Sequence, residues 1–372
     1  MPRPGQSPQH AIEATSVRRR LQEPEQAAGV LLSGRMLVLP TETCYAVFSD
    51  DQTLLRERLG LPDRAPLALH VAGVEEAAAW VQVGPPGVQR FLRRAWPGPV
   101  TAVLRARRPG MVHGGPRPGG PRATAEAVAV RCPDVAATRE VLRITAEAGT
   151  ALYAAAARRG SRTVHAPEEL SAAAELEGLP YLDGGRCRFR QPATLVSLLG
   201  QADGQVQPRV VRAGVYDQRT VSRMSTFKLL LVCSGNTCRS PMAEAIARPM
   251  LRDRLGDREG ISVGSAGTFA GSGAPASSEA VAVIAQMGGD LSSHRSKPVH
   301  ADAVAEADLV LTMTQRHADD LRRAFPADAA KISRLIPDAD IGDPIGGTLA
   351  QYQAVAEQIR EGLSSRLDEE LV

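Results

Sequence analysis

No stretch of this chain approaches the roughly 20 consecutive apolar residues of a membrane-spanning helix. The polar, proline-bearing start, Met1 to Gln9, also lacks the apolar core of a secretion signal. Charge of one sign is missing as well: 44 Lys and Arg against 41 Asp and Glu leave +3, too little to argue for a nucleic acid or a membrane as partner. Cysteines are few. Cys44, Cys132, Cys187, Cys233 and Cys238 are odd in number and mostly scattered, which argues against a disulfide framework and for a reducing compartment. These absences together predict a cytoplasmic protein. What is present is ordinary globular composition, 43% apolar and 23% charged, and 372 residues are enough for two domains, each with its own core.

The pattern along the chain divides it in four: a flexible polar tail at 1–24, a first domain at 25–214, a linker at 215–226 and a second domain at 227–372. The Arg18-Arg19-Arg20 run reads as a solvated face. Arg105 to Arg122, rich in Gly, Pro and Arg, reads as a long exposed loop. A helix is predicted over Pro167 to Glu177, with short strands near Ala129, Thr194 and Val210. Between Gly214 and Thr226 the pattern dissolves, which places the linker there. From Phe227 onward strands alternate with helices: strand, turn, helix 241–255, strand 261–265, helices 276–288 and 301–306, strand 308–312, helix 315–324, strand 331–335 and a last helix 349–367. Such alternation predicts a parallel sheet with helices on both faces, and a ligand at the carboxyl ends of its strands.

The segment with chemistry in it is Leu229-Leu230-Leu231-Val232-Cys233-Ser234-Gly235-Asn236-Thr237-Cys238-Arg239-Ser240-Pro241, an apolar strand entering a turn that opens a helix. Cys233 is the nucleophile candidate, its thiolate favoured by the helix N-terminus, by Arg239 and by a hydroxyl hydrogen bond from Ser240. Backbone N–H groups of 234–239 can point at the equatorial oxygens of a phosphoryl group, since Gly235 and Asn236 tolerate unusual backbone angles. Arg239 can hold two of those oxygens in a fork. Cys238 allows two readings, a reversible disulfide partner for Cys233 or a small buried filler. His294, His300 and His317 show no metal-ligand grouping and read as surface or packing residues; no metal is expected.

This turn resembles the signature of low-molecular-weight protein-tyrosine phosphatases, and the resemblance runs through 227–372. It takes in Ser265-Ala266-Gly267-Thr268, His294-Arg295-Ser296-Lys297, the strand Ala307 to Met313, and Asp343-Pro344. It implies a cysteine-dependent protein phosphatase without a cofactor, with Asp343 as general acid; spacing alone does not choose Asp343 over Asp338 or Asp340. Thr237, where tyrosine-specific members carry a larger aliphatic residue, and Ile345-Gly346-Gly347 after Asp343-Pro344, without an aromatic pair, resemble the protein-arginine phosphatase branch. A guanidinium calls for a carboxylate and hydrogen-bond acceptors, which Asp343 and Thr237 supply. The expected order is phosphoarginine before phosphotyrosine.

In the first domain, Pro40-Thr41-Glu42-Thr43-Cys44-Tyr45, Ala65 to Val71, Trp96 to Thr101, Val128 to Asp134 and Asp183-Gly184-Gly185 resemble, in this order, the YrdC-like domain of threonylcarbamoyl-adenylate synthases. The resemblance implies a twisted α/β fold with a positively lined groove that takes threonine, bicarbonate and ATP for tRNA modification. The family's basic pair falls here on Leu59-Gly60-Leu61, its Ser-Ala-Asn motif on Ala155-Ala156-Ala157, and the glycine after its tyrosine on Ala46. Alkyl groups cannot replace contacts to a triphosphate, and the nearby cations able to compensate are Arg56, Arg58 and Arg64. Thr41, Tyr45 and Arg131 would then be the remains of a nucleotide site. The expectation is an α/β scaffold with lost or altered synthase activity. It would bind a nucleotide, double-stranded RNA or the phosphatase's phosphorylated protein substrate. The alternative whole-chain reading is a nucleotide- or RNA-binding, or threonylcarbamoyl-AMP-forming, protein with an accessory phosphatase domain.

Overall fold

The computed structural model describes residues 19–62, 65, 67–107, 127–173, 176–200, 207–255 and 260–371. Residues 1–18 of the expected 1–24 tail, residues 108–122 of the Arg105–Arg122 loop, and Arg64 lie outside them. The chain divides into two compact units whose last boundary falls between Gln218 and Arg219; Gly84–Phe91 is counted with the second unit.

The first unit is built on a mixed sheet of eleven strands among the described residues. Its centre is antiparallel: Leu37–Pro40 against Tyr45–Ser49, and Tyr45–Ser49 against Leu152–Ala156. Ala127–Arg131 runs antiparallel to Val100–Ala106 and parallel to Ala68–His70. The strands expected near Ala129, Thr194 and Val210 are Ala127–Arg131, Thr194–Ser197 and Arg209–Arg212. Helices Pro24–Leu32 and Ala136–Glu147 pack their alanine, valine and leucine faces on one side of the sheet, around Leu37, Leu39 and Phe48. Two local expectations need correction. Within the helix predicted over 167–177, the α-helical part among the described residues is a single turn, Pro167–Leu170. Arg20–Leu21, placed in the tail, pairs with Tyr181–Leu182 as an edge strand, with Leu21 buried.

The second unit is a four-stranded parallel sheet in the order Ile261–Gly267, Phe227–Cys233, Leu309–Thr312, Ile332–Arg334. Side chains alternate along Phe227–Cys233. Phe227, Leu229, Leu231 and Cys233 face helices Arg239–Leu255, Ser278–Gln286 and Leu349–Leu371, whereas Leu230 and Val232 face Ala301–Glu306 and Gln315–Ala324. A strand covered on both faces has no polar side to show, which is why the sequence reads as an uninterrupted Leu-Leu-Leu-Val run. The element order matches the sequence expectation, with boundaries moved by a few residues. The expected linker differs: Gln218–Ser225 is helical, and its one buried residue, Val221, is too little apolar signal to stand out in the sequence.

Candidate active site

Phe227–Cys233 ends where its neighbour Ile261–Gly267 also ends, so the turn at 234–238 hangs over the carboxyl edge of the sheet. The helix Arg239–Leu255 starts directly behind it. Gly267 permits this meeting, since a Cβ there would lie 2.3 Å from the Ser234 carbonyl oxygen and 3.0 Å from Asn236 N.

Asn236 organises the turn. It is fully buried with φ of 55°, a left-handed conformation that asparagine tolerates better than most residues. Gly235 does not adopt it, so the freedom expected of both residues is used at Asn236 alone. The Asn236 amide donates to Ser240 Oγ and Ser265 Oγ, each at 2.9 Å, and its Oδ1 accepts from Lys297 N at 2.9 Å. Its carbonyl oxygen lies 2.8 Å from His294 Nε2, and its own N–H points at Cys233 Sγ, 3.3 Å away. Ser265 in turn donates to Glu244 at 2.6 Å. Ser240 Oγ sits 3.0 Å from Cys233 Sγ. The sulfur is thus approached by a backbone N–H and a hydroxyl.

Arg239 is 4% exposed. One terminal nitrogen donates to the Ile341 carbonyl at 3.0 Å, the other to Asp343 Oδ2 at 2.5 Å, and Nε has no partner. Two of the three candidate carboxylates differ in their surroundings. Asp340 is committed to Gln315 N–H and Arg334, which hold its carboxyl below the ordinary range, whereas Asp343 reaches the cleft. The cleft holds about 230 Å³ and is lined by Cys233, Ser234, Gly235, Thr237, Cys238, Arg239, Phe269, Asp343 and Ile345.

Cys238 Sγ contacts Tyr352 Oη at 3.3 Å and Ser277 Oγ at 3.4 Å, and burial with this thiol pushes the Tyr352 hydroxyl up to about 12. All five cysteines are free thiols.

Sequence reasoning missed three participants. Phe269, 75% exposed, supplies an aromatic wall from the segment after Ser265-Ala266-Gly267-Thr268, not from the segment after Asp343-Pro344. His294 and His317, read as surface or packing residues, both hydrogen-bond the turn. His317 is 5% exposed and its Nε2 lies 2.8 Å from Ser234 Oγ. Their sequence carried no signal for this, since the turn they reach lies 58 and 83 residues away along the chain. No group of three or more His, Cys, Asp or Glu among the described residues is arranged to hold a metal.

The first unit has a cavity of about 570 Å³. Arg131, Arg158, Arg190 and Arg212 line it, and among the described residues no carboxylate side chain does. Of the three nucleotide-site candidates only Arg131 faces it. Arg131 is 7% exposed and holds Glu42 and Thr43, each at 2.7 Å. Thr41 is bonded to the Cys44 carbonyl at 2.6 Å, and Tyr45 ties the Gly184–Gly185 loop through its hydroxyl. Leu61, Ala155 and Ala156 form part of the cavity wall. Arg56 and Arg58 turn instead to the carbonyls of Ala65 and Glu177, each at 2.5 Å.

Two family models match the chain: low molecular weight phosphotyrosine protein phosphatase over residues 228–371, and the Sua5–YciO–YrdC family, described as telomere recombination, over residues 29–214. Relatives of equal identity differ in the substrate they are named for. A probable low molecular weight protein-tyrosine-phosphatase, EpsP of Ralstonia nicotianae, is 37% identical over 139 residues, 37% of this chain and 91% of its own. A protein-arginine-phosphatase of Geobacillus stearothermophilus is 37% identical over 150 residues, 39% of this chain and 96% of its own. Among solved structures, a low molecular weight protein tyrosine phosphatase from T. tengcongensis matches at 38% identity with a TM-score of 0.36, covering 38% of this chain and 99% of that one.

Proposed function

We propose that this chain, which belongs to the low molecular weight phosphotyrosine protein phosphatase family through residues 228–371 and to the Sua5–YciO–YrdC family through residues 29–214, is a protein phosphatase that works through a phosphocysteine on Cys233 and prefers phosphoarginine. The observation that carries the catalytic reading is the meeting of Cys233, Arg239 and Asp343 in one small cleft, with Asn236 and Ser240 on the sulfur. The Cys233 thiolate attacks phosphorus; the S–P bond forms as the P–N or P–O bond breaks, and Asp343 gives its proton to the departing atom. Asp343 then takes a proton from water, which attacks the phosphocysteine and releases inorganic phosphate and the thiolate. Arg239 leaves the Asp343 carboxylate to hold two phosphoryl oxygens through both steps. The freed carboxylate, now beside the phosphoryl dianion, takes up from solvent the proton that it then delivers.

Substrate choice rests on Thr237. Its short side chain leaves room, and its hydroxyl is an acceptor for guanidinium N–H groups, which a phenol ring lacks. Phe269 suits either substrate, by stacking on a phenol or on a guanidinium face. Initial rates on phosphoarginine and phosphotyrosine peptides, for the full chain and for Thr237→Ile, test the preference. Phosphoarginine should be the better substrate of the wild type and lose its advantage in Thr237→Ile, and Cys233→Ser should be inactive on both. Equal or faster phosphotyrosine turnover by the wild type would refute the preference but leave the phosphatase chemistry standing.

A further inference from the structure

Ser234 follows the nucleophile and lines the cleft, yet the scheme above makes no use of its hydroxyl. That hydroxyl lies 2.8 Å from His317 Nε2, and Nδ1 of the same ring lies 2.9 Å from Thr314 Oγ1. Thr314 is the N-cap of the helix Gln315–Ala324, and its Oγ1 accepts the His317 N–H at 3.3 Å. Three side chains thus run in line from a helix cap to the phosphate turn.

We propose that His317 is a positioning residue for phosphoryl transfer: through Ser234 it adds a side-chain donor to the backbone donors of the turn, and the bound phosphoryl group selects the His317 tautomer that frees this donor. The inference rests on the reading of the cleft as a phosphoryl site.

Counting protons gives the reason. The Thr314 hydroxyl accepts from its own helix and has one proton to give. If that proton goes to Nδ1, the ring carries its hydrogen on Nε2 and donates to Ser234 Oγ, leaving the Ser234 proton free for an oxygen in the cleft. In the other tautomer Nε2 consumes that proton, and Ser234 turns only lone pairs toward the cleft. A phosphoryl dianion offers no donor, so it tolerates only the first arrangement. An empty cleft imposes no such choice.

The choice exists only for a neutral ring. Burial, then the Arg239 guanidinium, holds the His317 imidazole below its ordinary range, while Asp320 on its own helix and Asp340 and Asp343 ahead of the C-terminal helix pull the other way. The net shift is downward, so the ring is neutral at pH 7 and charges only in more acid solution than a free imidazole. Once charged it donates from both nitrogens, and the selection vanishes.

The test uses the full chain, ¹⁵N-labelled at histidine, with inorganic phosphate as ligand and p-nitrophenyl phosphate as substrate. Saturating phosphate at pH 8, where it is chiefly the dianion with three bare oxygens to turn into the cleft, should drive the His317 ring signals to the Nε2–H form. Ser234→Ala should weaken phosphate inhibition about tenfold, the scale of a hydrogen bond to a charged group. His317→Leu should do the same, with no further loss in the double variant, while Ser234→Thr and His317→Gln, which keep a donor, should recover most of the affinity. Ring signals indifferent to phosphate, or Ser234→Ala inhibited as well as the wild type, would overturn the proposal; should His317→Leu fail to fold, these two readouts decide. A wild type that neither binds phosphate nor turns over the aryl phosphate would overturn the phosphatase reading itself, and this inference with it.

Discussion

Asn236 is the residue on which the catalytic turn depends. Its side chain and backbone reach Ser240, Ser265, Lys297, His294 and Cys233, tying the nucleophile to four other parts of the second unit. Removing the amide in Asn236→Ala orphans the Lys297 N–H, unmoors two hydroxyls and puts a less tolerant residue at positive φ. The expected cost is roughly 3 kcal/mol of stability, since each buried group left without a partner costs about 1–3 kcal/mol. Turnover of p-nitrophenyl phosphate should fall more than the melting temperature alone explains, because Ser240 loses its orientation toward the sulfur. Calorimetry beside steady-state kinetics checks this, and an unchanged kcat would refute it. The residue types of the turn were legible in the sequence because phosphate chemistry narrows them so sharply. Asp343 was legible only through resemblance, since a carboxylate about a hundred residues away has no local pattern. Phe269 and His317 were not legible, because what makes them part of the cleft is the convergence of segments distant in sequence.

At the scale of elements, the turn works because two parallel strands finish side by side. Gly267 ends one of them and accepts the backbone of the other's turn at a distance no side chain permits. Gly267→Ala would push against the Ser234 carbonyl and the Asn236 N–H, both backbone, so the strain has no flexible outlet. We expect a loss of about 1–3 kcal/mol, as for an overpacked core position. We also expect a thiol at Cys233 that reacts more slowly with iodoacetamide at neutral pH, because the donors around the sulfur are displaced. Unaltered alkylation kinetics would count against it. The helices and strands of the second unit were readable from their apolar periods and breaks. The short helix Gln218–Ser225 was not, because it has one buried anchor.

At the scale of the whole molecule, one chain joins a phosphatase unit, whose proposed reacting groups meet in one cleft, to a scaffold whose cavity has alkyl side chains at positions where the resemblance to threonylcarbamoyl-adenylate synthases implies charges and hydroxyls. Leu61, Ala155 and Ala156 line that cavity, while Arg56 and Arg58 are spent on backbone carbonyls. We therefore expect the purified chain to form no threonylcarbamoyl-AMP from threonine, bicarbonate and ATP; detection of that product by mass spectrometry would overturn this reading. The four arginines on the cavity keep it attractive to anions, so loss of synthesis does not require loss of binding.

The contact between Arg239 and Asp343 has a consequence of its own. On the proposed mechanism, the cation that grips phosphate is occupied, before substrate arrives, by the carboxylate that later acts on the leaving atom. A weakly charged intruder such as chloride or a carboxylate competes poorly against a tethered partner already at 2.5 Å. A phosphoryl dianion can displace it, and the released carboxylate, no longer beside the guanidinium and now beside a dianion, takes up a proton from solvent when there is something to protonate. The resting site is in effect latched by its own tools, and the charge of the proper substrate is the key.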